Sequence, residues 1–289
     1  MRAARLAPLL CLATLAAGCG GAGSSSPSMP RGPRVNLDRA SADAAALVSE
    51  IYGDLRRGYL DGLQNVTAPS VLVLGPGGEI FTDRTAVVLA VGRGFPRSKH
   101  RLRSRGLEVI AAPGGRSARV TDSLEVDGQK LRLSAVLVSE DGIWTVAALH
   151  LSRPAPADAM PTATASAPAG KPQVPPATGA AADLAELVRT WSKPGAVLDQ
   201  FAPSPEIQLF GPGARDSAAG PKAIARWWKK NRQSSPMAPT PFNAGLTPDG
   251  ALGWVAADIQ VDGSPERHFA IFIRKGKSYR LLVSHAAAR

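Results

Sequence analysis

The side chains in this chain with the chemistry to act on a ligand recur in pairs. His150 and His285 lie 135 positions apart, as do Arg132 and Arg267, and Trp144 and Tyr279. Each histidine ends an alternating run: Trp144, Val146, Ala148 and His150 in one, Tyr279, Leu281, Val283 and His285 in the other. At the period of two of a β-strand, each run shares one face. An apolar face closed by an imidazole has the makeup of a small pocket with one polar group. A histidine there can orient a ligand or move a proton near neutral pH. The plainer reading is preferred, a structural histidine bonded to neighbouring backbone. Catalysis needs a positioned partner, and no Asp or Glu is identifiable as that partner in both runs.

Arg132 and Arg267 each open a penultimate strand. A buried arginine there can grip an anionic ligand with two parallel bonds. The commoner outcome is a solvated strand end, or pairing with Asp127, Asp262 or Glu266. The chain contains no HExxH, no GxSxG and no glycine loop of the phosphate-cradling kind. Four widely spaced histidines give no metal signature. No catalytic residue, metal or cofactor is therefore assigned.

The densest basic run is Arg93–Arg105, in which Arg97, Lys99, Arg101, Arg103 and Arg105 alternate. An extended strand would display them together toward an anionic lipid surface. A solvated edge strand, where cations discourage edge-to-edge pairing, is the preferred reading. In Trp227-Trp228-Lys229-Lys230, Ile224 and Trp228 fit one buried helical stripe. An exposed Trp227 would instead anchor a partner or a membrane interface.

These residues repeat because the chain repeats. Leu184, Leu187, Val188 and Trp191 fall 136 positions after Val48, Ile51, Tyr52 and Leu55, and Gly211-Pro212-Gly213 falls 136 after Gly75-Pro76-Gly77. Past the next helix the offset is 135, and Asp262-Gly263 matches Asp127-Gly128. One single-residue gap reconciles them all, the mark of a tandem duplication. Each copy opens with an amphipathic helix, followed by a short apolar strand (Val71–Leu74; Ile207–Phe210) stopped at Gly-Pro-Gly. A second helix (Thr85–Gly92; Pro221–Asn231) leads into strands joined by tight turns, among them Asp127-Gly128, Asp141-Gly142, Asp262-Gly263 and Lys275-Gly276. The expected class is α+β: two tandem domains, each with N-terminal helices packed on one face of an antiparallel sheet.

Two low-complexity stretches divide the 289 residues. The expected organisation is a leader at 1–18, Cys19 and a Gly/Ser/Pro tether to 36, a first domain at 37–153, a Pro/Ala/Thr-rich linker at 154–180 and a second domain at 181–289. Arg2 and Arg5 precede an apolar run too short to span a bilayer, as in a secretory signal. The net charge of +11 is spread along the chain, +2 in the first domain and +5 in the second. Nucleic acid is not an expected partner.

Leu15-Ala16-Ala17-Gly18-Cys19 resembles the lipobox of bacterial lipoproteins, with Ala16 where leucine is commoner. The resemblance implies a lipid on the Cys19 sulfur, cleavage before it and acylation of the new N-terminus. Export and a lipid anchor in the cell envelope follow, and Gly20-Gly21 in place of Asp favours the outer membrane over the inner. The helix-then-meander order and the ending from Trp144 to His150 and Ser152 resemble the SnoaL-like branch of the nuclear transport factor 2-like superfamily. The second copy keeps the aromatic and His285 but has Ala287 in place of the serine. That resemblance implies a cone of sheet around a pocket, in a superfamily that holds isomerases, cyclases, hydrolases and non-catalytic binders. It also implies that the two copies pair through their sheets as an intramolecular pseudo-dimer. The preferred expectation is a non-enzymatic envelope lipoprotein that binds a small apolar ligand or an envelope protein. The alternatives are a ketosteroid-isomerase-like or hydrolase-like enzyme with a histidine at the pocket rim, and a peripheral binder of anionic lipid.

Overall fold

A computed structural model describes residues 36–94, 99–156, 177–193, 195–232 and 235–289. The expected leader, Cys19, the tether up to residue 35, Arg97 and most of the low-complexity linker lie outside the described residues. The chain from Val35 to Arg289 is one compact unit. No described helix is long and apolar enough to cross a membrane.

Helix α1 (Leu37–Arg57) starts where the Asn36 side chain accepts a bond from the Arg39 N–H. It stops at Gly58, whose left-handed conformation lets its N–H reach the carbonyls of Asp54 and Leu55. Its apolar stripe buries Ala44, Leu47, Val48 and Tyr52. The first half continues through β1 (Thr67–Leu74), β2 (Ile80–Phe81), α2 (Arg84–Gly94), β3 (Leu102–Ser104), β4 (Glu108–Ala111), β5 (Ser117–Val126), β6 (Gln129–Glu140) and β7 (Ile143–Ser152). The second half has α3 (Ala180–Arg189), a short 3-10 turn, α4 (Ala196–Gln200), β8 (Gln208–Phe210), β9 (Ser217–Ala219) and α5 (Pro221–Asn231). It ends with β10 (Met237–Leu246), β11 (Leu252–Val261), β12 (Ser264–Lys275) and β13 (Ser278–Ala288).

The first sheet runs β2-β1-β7-β6-β5-β3, with β4 also on β5; the second runs β9-β8-β13-β12-β11-β10. The two orders coincide strand for strand, with β10 unbroken where β3 and β4 divide the same edge. The α+β class with N-terminal helices holds. Each sheet is mixed rather than wholly antiparallel, because β1 lies parallel to β7 and β8 parallel to β13. The chain leaves the first short strand through a helix and a three-strand meander, a crossover long enough to bring a parallel neighbour alongside. The Asp-Gly turns behave as their chemistry requires: Asp127, Asp141 and Asp262 sit at φ 50°, 51° and 49°, each followed by a glycine at positive φ.

Each sheet buries both faces. One face of the first sheet packs on α1 through Val120, Leu124, Leu131, Leu133, Ala135 and Leu137. The other presents Leu72, Leu74, Val136, Val138 and Ala148, which join one continuous core with Trp254, Ala256, Phe269, Ile271 and Val283 of the second half. Burial of apolar side chains from both sheets in one core is the main force holding the halves together.

Candidate functional site

The location of the paired histidines is decided by one residue in each closing strand. Across β6 and β7, Val136 pairs with Ala148 and Leu137 with Val146, so Ala147 is an extra residue, a β-bulge. Across β12 and β13, Ile271 pairs with Val283 and Phe272 with Leu281, so Leu282 is its equivalent. A one-residue insertion exchanges the two faces of everything beyond it. Trp144 therefore joins the core under α1, while Ala148 and His150 turn toward the second half. The expectation that Trp144, Val146, Ala148 and His150 share one face, and likewise Tyr279 to His285, is corrected by these bulges. Tyr279 is only partly buried and donates its hydroxyl to the Gly250 carbonyl at 3.0 Å.

His150 and His285 meet in the joint between the sheets. Their rings stack with centroids 4.2 Å apart and planes inclined at 37°. Both are fully buried, at 1% and 0% exposure. His285 is held at both ring nitrogens by hydroxyls of the first half, Nε2 to Ser152 Oγ at 2.7 Å and Nδ1 to Ser134 Oγ at 2.9 Å. The positions equivalent to Ser134 and Ser152 are Phe269 and Ala287, neither with a side-chain hydrogen bond to offer. Phe269 makes an edge contact with His150 at 6.1 Å, and His150 Nδ1 has no partner among the described residues. The joint is thus symmetric in position and asymmetric in chemistry. Burial, reinforced by the Arg267 and His268 charges, pushes the His150 pKa down to about 3. Burial likewise holds His285 well below the usual histidine value, with His150 and Arg132 adding to it. Ser152→Ala or Ser134→Ala leaves one nitrogen of His285 buried and unpaired. Each is expected to lower stability by about 1–2 kcal/mol, measured as a shift in urea midpoint at constant slope.

The recurring arginines serve the same joint. Arg132 donates to the Gly211 carbonyl at 2.5 Å, to Gly213 at 2.9 Å and to Ala214 at 3.0 Å. Its guanidinium also lies 5.5 Å over the Phe210 ring. Arg267 donates to the Gly78 carbonyl at 2.7 Å and to Asp258 at 3.0 Å. Each arginine therefore reaches the Gly-Pro-Gly region of the opposite half. Of the residues expected to bind a ligand, His150, His285, Arg132 and Arg267 sit in the joint, and Trp144 in the helix-side core. A surface groove of about 560 Å³ and another of about 540 Å³ are lined by none of these or by Tyr279.

Two buried polar clusters were not legible as motifs. Tyr52 donates to Asp122 at 3.0 Å beneath α1, and Asp122 also accepts from the Gly106 N–H at 3.1 Å. Burial and the Asp122 carboxylate push the Tyr52 hydroxyl far up. In the second half, Glu266 accepts from His268 at 2.9 Å and from Arg232 at 2.5 Å. Although burial pushes Glu266 up, these two partners hold it below its ordinary value. Glu266 and His268 are two apart on β12, so the period of two does place them on one face. Arg232 comes from the end of α5 and gives no such signal.

The basic edge lies where alternation puts it. Leu102 turns inward while Lys99, Arg101, Arg103 and Arg105 are exposed. Arg105 pairs with Glu125 at 2.8 Å, and Asp127 accepts from the Arg101 N–H at 2.8 Å. Ile224 and Trp228 are buried as expected. Trp227 is half-buried against the same core and under Arg232, which removes the exposed-anchor alternative. Among the described residues no group of three or more His, Cys, Asp or Glu side chains is placed to hold a metal.

The family model for the SnoaL-like domain matches residues 44–156, the span from α1 to just past β7. That span is similar to the SnoaL-like domain. Solved structures similar to the chain include an NTF2-like protein of unknown function from Pseudomonas putida, 16% identical, with a TM-score of 0.38 over 41% of this chain and 90% of that one. Another is a candidate dehydratase of the NTF2-like family from Streptomyces avermitilis, 15% identical, TM-score 0.37, over 41% and 98%. A third is an NTF2-like protein of unknown function in nutrient uptake from Rhodospirillum rubrum, 22% identical, TM-score 0.33, over 38% and 96%. No curated protein matches the chain. In the half that the family model matches, the sheet face turned away from α1 is the face that carries His150, Arg132 and Ser134.

Proposed function

We propose that this is a non-enzymatic, lipid-anchored protein of the bacterial cell envelope, in which two SnoaL-like domains act as one intramolecular pseudo-dimer that binds a small apolar ligand or an envelope protein. The observation that carries the reading is the engagement of both recurring histidines and both recurring arginines in the joint between the halves. A general acid or base needs hydrogen-bond access to a substrate. The stacked imidazoles are buried, which pushes both pKa values down, and His285 is held by serine hydroxyls while His150 Nδ1 has no partner among the described residues. An enzyme of isomerase or hydrolase kind would have to work elsewhere, and His268 is already committed to a Glu266 that Arg232 also grips. The strand order of the second half supports reading it as a second SnoaL-like domain. The leader and the Cys19 context support the anchor.

Native mass spectrometry of the chain extracted from membranes tests both parts. The expected species lacks residues 1–18, carries acyl chains on Cys19 and retains a small molecule or a partner. Cys19→Ser is expected to keep the unprocessed mass and to leave the detergent phase. A wild-type chain of unmodified mass would overturn the anchor. A chain that releases neither ligand nor partner would overturn the binding role.

A further inference from the structure

The duplication supplies an internal control for surface charge. The hairpins β6–β7 and β12–β13 occupy the same place in the same strand order, so each performs the same structural task. Residues 139–145 read Ser-Glu-Asp-Gly-Ile-Trp-Thr, with two acids and no cation. The matching residues are Arg274, Lys275, Gly276, Lys277, Ser278, Tyr279 and Arg280, with four cations and no acid. Charge has inverted by six units; Asp141 answers a left-handed turn position, but no backbone requirement accounts for the four cations, none of which is at positive φ. All four cations are exposed, and among the described residues none lies within ion-pair distance of a carboxylate. Arg280 donates to the Asp199 carbonyl at 3.0 Å and Arg274 to the Gly276 carbonyl at 3.1 Å, which aims the guanidinium groups without neutralising them.

A concave surface lies beside this hairpin. The groove of about 560 Å³ is lined by Phe201, Ala202, Pro203 and Ser204 on one side and by Lys275 and Arg280 on the other. It offers an apolar floor, one hydroxyl, two cations and no carboxylate. The basic run at Lys99–Arg105 differs, because Glu125 pairs with Arg105 and Asp127 lies against His100 and the Arg101 N–H. We infer that the β12–β13 hairpin and this groove bind the phosphate of an anionic phospholipid headgroup, with Lys275 and Arg280 at the phosphate, Lys277 and Arg274 facing neighbouring headgroups, and Phe201 and Pro203 against the glycerol and upper acyl region. The assignment is independent of Cys19. It would place the second half against a membrane surface whatever holds the N-terminus.

The test uses the full chain carrying Cys19→Ser, so that no acyl anchor contributes. Binding is measured to phosphatidylcholine vesicles with and without about one third phosphatidylglycerol, the neutral vesicles reporting any contribution of the leader. The triple variant Lys275→Glu, Lys277→Gly, Arg280→Thr installs the residues that the first-half hairpin already uses. At about fivefold per cation near a charged surface, affinity for anionic vesicles should fall about a hundredfold. Lys275→Gln with Lys277→Gln keeps the Arg280–Asp199 bond and should lose about 25-fold, so a folding defect in the triple variant leaves the prediction testable. Arg101→Gln, Arg103→Gln, Arg105→Gln removes as many cations elsewhere and should lose less than about threefold. Equal losses in both triple variants, or no loss in the hairpin variants, would overturn the inference. Saturable binding of inorganic phosphate without vesicle binding would overturn the lipid source.

Discussion

Between pH 7 and pH 5 the protein is expected to lose about 2 kcal/mol of stability through His150, with His285 adding in the same direction. Both imidazoles are sealed in the joint, and burial holds both far below the usual histidine range, His150 at about 3. An unfolded chain protonates them near pH 6.5. Below that value the unfolded state binds protons that the folded state refuses, so stability falls as pH falls, until the folded-state values are reached. His150 contributes about 1.4 kcal/mol per pH unit across that window, and about 2 kcal/mol by pH 5. Against a typical total of roughly 5–15 kcal/mol this is a large fraction. Urea midpoints at constant ionic strength across pH 7–5 measure it directly. His150→Leu should flatten the slope, because only His285 then carries a penalty. A midpoint that stays flat to pH 5 would mean that the joint admits water or a proton acceptor. Glu266, held below its ordinary value by His268 and Arg232, adds in the same direction only below about pH 4.5.

The reach of the sequence follows from which signals are local. Helix α5 from Pro221 to Asn231, the Asp-Gly turns and the duplicated order of elements are written in short-range chemistry, and the structure has them where periodicity and turn residues place them. The faces of the closing strands were misjudged for an equally definite reason. A bulge at Ala147 or Leu282 leaves no mark in a run of small and aliphatic residues, because any of them fits an extra position. One unmarked residue was enough to move His150 from a presumed pocket wall to the joint. Arg232 with Glu266, and Tyr52 with Asp122, join elements far apart in sequence, and only the packed fold brings them together. The offset of 135 did hold a clue to the joint. Serines at 134 and 152 answer Phe269 and Ala287 in the other copy, a pattern of one-sided polar substitution at otherwise matched sites. Such asymmetry is expected where two copies meet and each position faces its counterpart.

Removal of Arg132 should be the most damaging single substitution in the joint. Its guanidinium is buried, burial lowers its pKa, and it donates to three carbonyls of the Gly211–Ala214 loop. Arg132→Ala leaves those carbonyls unanswered beneath the first sheet, and a cost of about 3–5 kcal/mol is expected. Arg132→Lys should recover less than half of that, since an ammonium on a flexible stem cannot reproduce a planar fork spread over three acceptors. Arg267 makes one carbonyl contact across the joint and a second bond to Asp258, which Arg289 also holds at 2.6 Å. Arg267→Ala should therefore cost about 2 kcal/mol. The order of the two effects discriminates between the joint and a general loss of packing, because both arginines are almost equally buried, at 5% and 3% exposure. Hydrogen exchange gives the second readout: amides of 211–216 should lose protection in Arg132→Ala, and amides around Gly78 in Arg267→Ala. Reciprocal reach, each copy's arginine to the other copy's loop, is what a two-fold pairing of identical chains produces when a residue contacts its neighbour and is contacted in return. If both variants instead lose protection within their own half alone, the arginines serve their own sheets and the pairing rests on the apolar core.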